Sequence, residues 1–119
     1  MTEDTIAALQ ARLRGFARER DWEQFHTPKN LAMALVGEVG ELVEILQWLT
    51  PEQAAAVMDS DRAADVEDEL ADVLIYLVRL ADVLGIDLAA AAATKLDRNE
   101  QRYPAAEVRG RADVAPGQD

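Results

Sequence analysis

Apolar residues recur every three or four positions along most of the chain, and no segment alternates as a strand would. Ile6, Leu9, Leu13 and Phe16 form one stripe, with Ala17 beside it. Arg20 falls on that stripe and ends it, so the first helix is expected to stop near residue 20. Trp22 and Phe25 lie off the stripe, in a connecting segment, "DWEQFHTPKN". Thr27-Pro28 is a start signal, a hydroxyl N-cap followed by proline in the first turn, and predicts a helix over about 28–49. Thr50-Pro51-Glu52-Gln53 repeats it, with Gln53 at the capping-box position, and predicts a short helix over about 51–58. Asp59, Ser60 and Asp61 offer the next caps, for a helix over about 62–84 that ends at Gly85. Asp87 caps a last helix over about 88–102, which stops before Pro104. The expected fold class is all-α, a four-helix-bundle-like domain over residues 1–104, with a polar tail at 105–119 that has little to bury.

On a wheel of 100° per residue, Leu31, Leu42, Ile45 and Leu49 fall within about 40° of Glu38. A carboxylate therefore occupies the middle of an apolar stripe. Glu41 stands at the stripe's edge and Glu44 a step further round. The stripe of the next long helix is Val66, Leu70, Val73, Leu77, Leu80 and Leu84, with Glu69 and Asp72 along one border and Tyr76 four residues after Asp72. Each long helix thus presents an acid-x-x-acid pair towards the interior, and residues at that spacing are spatial neighbours. Val36, Val39 and Val43 add a second apolar ridge to the same helix as Glu38. A helix apolar on two faces has two packing partners, which points to a homo-oligomer.

The chain has 119 residues and a formal charge of −11, from 23 acidic and 12 basic side chains. That field repels nucleic acid, so nucleic-acid binding is excluded as a role. A phosphate ligand arriving with a divalent cation is not repelled. No apolar run approaches the roughly 20 residues of a membrane span, and no signal peptide opens the chain, so a cytoplasmic protein away from membranes is expected. Cysteine is absent and His26 is the single histidine, which excludes thiolate metal sites and the paired E-x-x-H motifs of a di-iron bundle.

Ionised carboxylates buried without partners cost several kcal/mol each. Few cations lie on these faces to offset that cost. The residues leave two readings open: solvated acidic faces, or an oxygen-only site for Mg²⁺ or Mn²⁺.

The stretches "ERDWEQFHTPKNLAMALVGEVGELVEILQW", "DELADVLIYLV" and "KLDRNEQRYP" resemble the MazG-like all-α nucleoside triphosphate pyrophosphatases, and within them the branch that acts on dCTP. The resemblance covers about residues 5 to 104. It implies cleavage between the α- and β-phosphates of a nucleoside triphosphate, to the monophosphate and pyrophosphate. It implies that Glu38, Glu41, Glu69 and Asp72 hold Mg²⁺, with Mn²⁺ as a substitute, and Glu41 is the candidate general base. It implies phosphate contacts from Lys95, Asn99, Tyr103 and Arg102, with Tyr76 close by, and packing of Trp22, Trp48 and His26 around the base. It also implies a homotetramer built from tight dimers. From the residues alone, Lys95 is a solvated helix position, the tryptophans are core or interface anchors, and His26 is a local hydrogen-bonding group. One position departs from the pattern. Leu13 stands where the animal enzymes carry a histidine near the base, which puts strict cytosine selectivity in doubt. Two other functions fit less of the pattern: a pyrophosphatase for another or a modified nucleotide, and a non-catalytic helical adaptor.

Overall fold

Thr27 accepts a hydrogen bond from the Asn30 amide at 3.1 Å, and Pro28 follows it as the first residue of a long helix. The computed structural model describes residues 4–112, and the helix starts follow such local chemistry closely. In order, the helices are α1 (Asp4–Glu19), α2 (Pro28–Leu46), α3 (Pro51–Ala55), α4 (Ala63–Val83), α5 (Leu88–Arg102) and α6 (Ala105–Val108), with 3₁₀ turns at Glu23–Phe25 and Val57–Asp59. Among the described residues there is no strand, and the fold is all-α. Thr50 and Gln53 close a complete capping box, with reciprocal bonds of 3.1 and 3.0 Å. Asp87 caps α5 through the Ala90 amide.

Two helix ends share one device. At Gly85, φ is 72°, and the amides of Gly85 and Ile86 bond back to Asp82 and Ala81, a Schellman closure. At the end of α1 the same bonds run from Asp21 to Arg18 and from Trp22 to Ala17, and Asp21 takes the left-handed conformation at φ 55°. This is why the first stripe stops where it does and Trp22 leaves it.

Several expectations are corrected. The second helix ends at Leu46 rather than 49, because Gln47–Leu49 must turn the chain so that Thr50 can cap α3. The helix expected over 51–58 breaks after Ala55 and continues as a 3₁₀ turn. No side chain among Asp59, Ser60 and Asp61 caps α4; instead Ser60 Oγ accepts from the Arg62 amide, one residue before the helix begins. The segment expected as a tail also carries a short helix, α6. The rest of that segment, from 113, lies outside the described residues.

The chain divides into two compact units, residues 1–86 and 87–119. In the first, α2 and α4 run antiparallel. Ile45, Val57 and Val66 form a buried cluster at one end, flanked by Leu42, Leu46 and Leu49. Further along, Ala17, Leu31, Val78 and Ala81 are buried. The expected α4 stripe is only partly interior: Val66 is buried, but Leu70, Leu77 and Leu84 are exposed, as is Leu74. Val78, Arg79 and Ala81 are the buried residues near the C-terminal end of α4 instead. The second unit contains α5 and α6. On α5, Lys95 is exposed and Asn99 is half-buried one turn on.

Candidate active site

The antiparallel register of α2 and α4 determines which carboxylates meet. Ile45 packs with Val66 at one end, and one to two turns along the pair Glu38 and Glu41 come opposite Glu69. One carboxylate oxygen from each of these three lies within 4.8 Å of the others. Glu41 is exposed, whereas Glu38 and Glu69 are half-buried. Their Oε2 atoms are shielded from solvent and meet no hydrogen-bond donor.

The electrostatic consequence is a strained pair. Desolvation, contact with the Glu38 and Glu41 carboxyls and the charges of both push the Glu69 carboxyl up to about 7. For Glu38, contact with the Glu69 carboxyl favours the ionised form. Desolvation, with Glu41 and the charge of Asp72, outweighs it and leaves the group raised. Asp72 is half-buried and outside the three-way cluster, but close enough to act on Glu38 through its charge.

Beyond the cluster lies an open acidic depression of about 530 Å³, lined by Glu41, Glu44, Asp65, Asp68 and Glu69. Arg62 lines it too, and its guanidinium is bonded to Asp65 at 2.9 Å. Oxygen donors only, two orphaned buried oxygens and, among the described residues, no side-chain cation bonded to them form a donor set that fits a hard divalent ion. This acidic cluster is the candidate metal-binding site.

Along the same helices, away from Val66, a cavity of about 360 Å³ opens between α1, α4 and the connecting segment. Leu13, Phe16, Trp22, His26, Tyr76 and Arg79 are among its walls. The left-handed turn at Asp21 sets the Trp22 ring edge-on to Phe16 at 5.7 Å and to His26 at 6.5 Å. Burial and the charge of Arg79 keep the His26 pKa below its usual value, so the ring is neutral near pH 7. Tyr76 stands in this cavity, one turn after Asp72. Trp48 is 83% exposed and takes no part in the cavity. Lys95, Asn99, Arg102 and Tyr103 belong to the second unit, where the Arg102 guanidinium lies 5.1 Å over the Tyr103 ring.

Two features escape a reading of the sequence: the acids Asp65 and Asp68 in the depression, and Arg79 in the cavity. Arg79 leaves a visible trace, a single cation inside the apolar run "LIYLVRLADVL".

Comparison with known proteins places these features in a family. The dCTP pyrophosphatase 1 of Rattus norvegicus is 49% identical over 112 residues, covering 92% of this chain and 65% of that protein. The Homo sapiens dCTP pyrophosphatase 1 is 50% identical over 104 residues, covering 87% of this chain and 61% of that protein. The chain therefore spans just under two thirds of the length of these relatives. A solved pyrophosphatase structure from Archaeoglobus fulgidus superposes with a TM-score of 0.78 at 42% identity, covering 84% of this chain and 93% of that one. A model of the MazG-like family matches residues 34–113, the segment that carries both acidic pairs, and the chain belongs to the MazG-like family.

Proposed function

We propose that this protein hydrolyses a nucleoside triphosphate, dCTP or a related pyrimidine nucleotide, to the monophosphate and pyrophosphate, with Mg²⁺ as its ion and Mn²⁺ as a substitute. The observation that carries the reading is the meeting of Glu38, Glu41 and Glu69 with two buried, donorless oxygens, in a chain about half identical to proteins named for this reaction.

The ion would be held by Glu38, Glu41 and Glu69, which meet in one cluster, together with Asp72 beside them. Bound there, it supplies charge neutralisation of the triphosphate and polarisation of the α-phosphorus. In this reading Glu41, which is exposed at the edge of the cluster, accepts the proton of the attacking water. Lys95, Asn99, Arg102, Tyr103 and Tyr76 contact the phosphates in this reading, and Trp22 and His26 pack around the base, with Trp48 reaching it from a neighbouring subunit of the assembly. The catalytic domain is residues 1–104. The assembly is a homotetramer, a dimer of dimers, that clears unwanted deoxynucleotides in the cytoplasm. No helix among the described residues is long and apolar enough to cross a membrane.

The test is a panel of deoxynucleoside triphosphates with Mg²⁺ in ¹⁸O-water, scoring pyrophosphate against orthophosphate. Label in the monophosphate is expected, because attack at the α-phosphorus puts the water oxygen there. Label only in the released pyrophosphate overturns the reading. Hydrolysis of none of the panel favours the helical adaptor, and preference for a purine or a modified nucleotide moves the substrate assignment.

A further inference from the structure

The cavity beside α1 holds a cation that the chemistry proposed so far does not use. Arg79 is only 8% exposed, and an arginine so buried requires partners. Its Nε donates to His26 Nδ1 at 3.0 Å, and its Nη1 donates to Asp82 Oδ2 at 3.3 Å. Asp82 is shared: it also accepts from Gln10, and from Arg14 at 2.6 and 2.7 Å. The shorter contacts go to Arg14, so the Arg79 guanidinium is anchored along one edge rather than neutralised. A guanidinium has five donors, and these two bonds leave donors on both Nη atoms of a residue that lines the cavity.

The rest of the lining is mostly apolar or donor-bearing: Arg12 is a second, exposed cation, and only the Tyr76 hydroxyl both donates and accepts. Leu13 and Phe16 are apolar, and the Trp22 indole can only donate. His26 accepts at Nδ1 and therefore carries its proton on Nε2, a further donor. Among the described residues no carboxylate lines the cavity. Donors held in an apolar cavity select a ligand that brings acceptors, because a ligand lacking them leaves buried donors unpaired. The position also fits. At about 1.5 Å of rise per residue, Arg79 lies about 10 Å along α4 from Asp72, and Leu31 on α2 lines the same cavity two turns before Glu38.

We propose that Arg79, positioned by His26 and Asp82, is the residue that reads the base, donating through its Nη atoms to the adjacent carbonyl oxygen and unprotonated ring nitrogen of cytosine. The inference rests on the pyrophosphatase reading and assigns its specificity. Cytosine presents O2 and N3 side by side as acceptors. Thymine and uracil carry a proton on N3, which opposes a donor. Adenine has no carbonyl. Guanine offers O6 and N7, a good arginine match, but on a two-ring base that Phe16, Trp22 and Tyr76 must also accommodate. Arg79 thereby supplies the polar group that Leu13 does not.

The experiment compares kcat/KM for dCTP, dTTP, dUTP and dGTP in the wild type, Arg79→Met and Arg79→Lys, with melting curves for each. Arg79→Met keeps an apolar stem and leaves Asp82 paired to Arg14 and Gln10. We expect it to lower kcat/KM for dCTP about 10- to 100-fold, mainly through KM, from the worth of a hydrogen bond to a charged group. The dTTP value stays within a few-fold, so the preference collapses. His26→Ala removes the partner of Arg79 Nε, so its effect on the dCTP-over-dTTP preference should be largely lost in the Arg79→Met background, whatever it costs both substrates through lost packing. If Arg79→Met does not fold, Arg79→Lys is read the same way, since one point charge cannot replace a two-pronged donor. An unchanged rank order, an equal loss for every base, or a wild-type preference for dGTP overturns the assignment while leaving the pyrophosphatase reading intact. A wild type that releases pyrophosphate from no triphosphate overturns that reading and takes this inference with it.

Discussion

Glu38 on α2 and Glu69 on α4 face one another across the helix pair, each with its Oε2 buried and without a donor. Neither helix needs a carboxylate there for its own stability. An apolar residue at position 38 would continue the stripe that Leu31, Leu42 and Ile45 define. The pair opposes folding unless a proton or a cation intervenes, which gives it measurable signatures.

The first is a pH dependence of stability. The Glu69 carboxyl is pushed up to about 7 in the fold from an ordinary value of 4.5. Between those values the native state holds more protons than the unfolded chain, so stability must fall as pH rises through the window. Melting temperatures of EDTA-treated protein from pH 4.5 to 8 measure it. His26, with a lowered pKa, slopes the opposite way below its ordinary 6.5, so the informative quantity is wild type minus Glu69→Gln. That difference should decline towards pH 7 and flatten when Mg²⁺ is added. A difference that is level without metal removes the electrostatic account of the site.

Removing the charge of Glu38 separates fold from function. Glu38→Gln relieves repulsion among Glu38, Glu41, Glu69 and Asp72, so the metal-free protein should melt at the same temperature or higher. Activity should drop about 100-fold or more, since a metal ligand supports several kcal/mol of transition-state stabilisation. A variant that unfolds, or one that turns over substrate normally, contradicts the role of Glu38.

Asp82 contributes structure at the other end of α4. The hydrogen bond from Arg14 holds its carboxyl below the ordinary carboxylate value against desolvation. Its contribution is therefore present above pH 3.8 and lost as the pH falls through the lower folded value. Asp82→Ala strands the buried Arg79 guanidinium and should cost about 3–5 kcal/mol in urea unfolding. Arg14 is half-exposed, and Arg14→Ala should cost no more than about 1 kcal/mol. Equal losses from the two substitutions would show that burial of Arg79 does not depend on Asp82.

Much of this was legible in the chain, for reasons that differ by residue. Thr27, Thr50 and Asp87 act through bonds three residues away, so sequence spacing alone places α2, α3 and α5. The facing of Glu38 and Glu69 is legible as two inward acidic pairs, because helical periodicity fixes which side each occupies. The early end of α2 was hidden, since Leu49 continues the apolar period even though the backbone has turned. The Arg79–Asp82–Arg14 connection spans 68 residues of sequence between Arg14 and Asp82. Only the packing of α1 against α4 brings those side chains together. The exposure of Leu70, Leu74 and Leu77 was equally hidden, because period identifies an apolar face but not what covers it.

Oligomerisation can be tested on the other face of α2. Val36, Val39 and Val43 are 70%, 41% and 47% exposed, a continuous valine ridge that a solitary chain leaves in water. Burying it against another copy gains roughly 25 cal/mol per Å² of apolar surface, whereas isolated exposed valines need no partner. A charge in the middle of the ridge should therefore discriminate. Val39→Glu adds a carboxylate that stays solvated in a monomer but is desolvated, and in a two-fold interface meets its own copy, on association. Sedimentation velocity or light scattering should show the wild type as a tetramer and Val39→Glu as smaller species, with α-helical circular dichroism retained. A wild type that is monomeric at micromolar concentration, or a Val39→Glu variant whose mass is unchanged, would place the interface elsewhere and leave the ridge as ordinary surface.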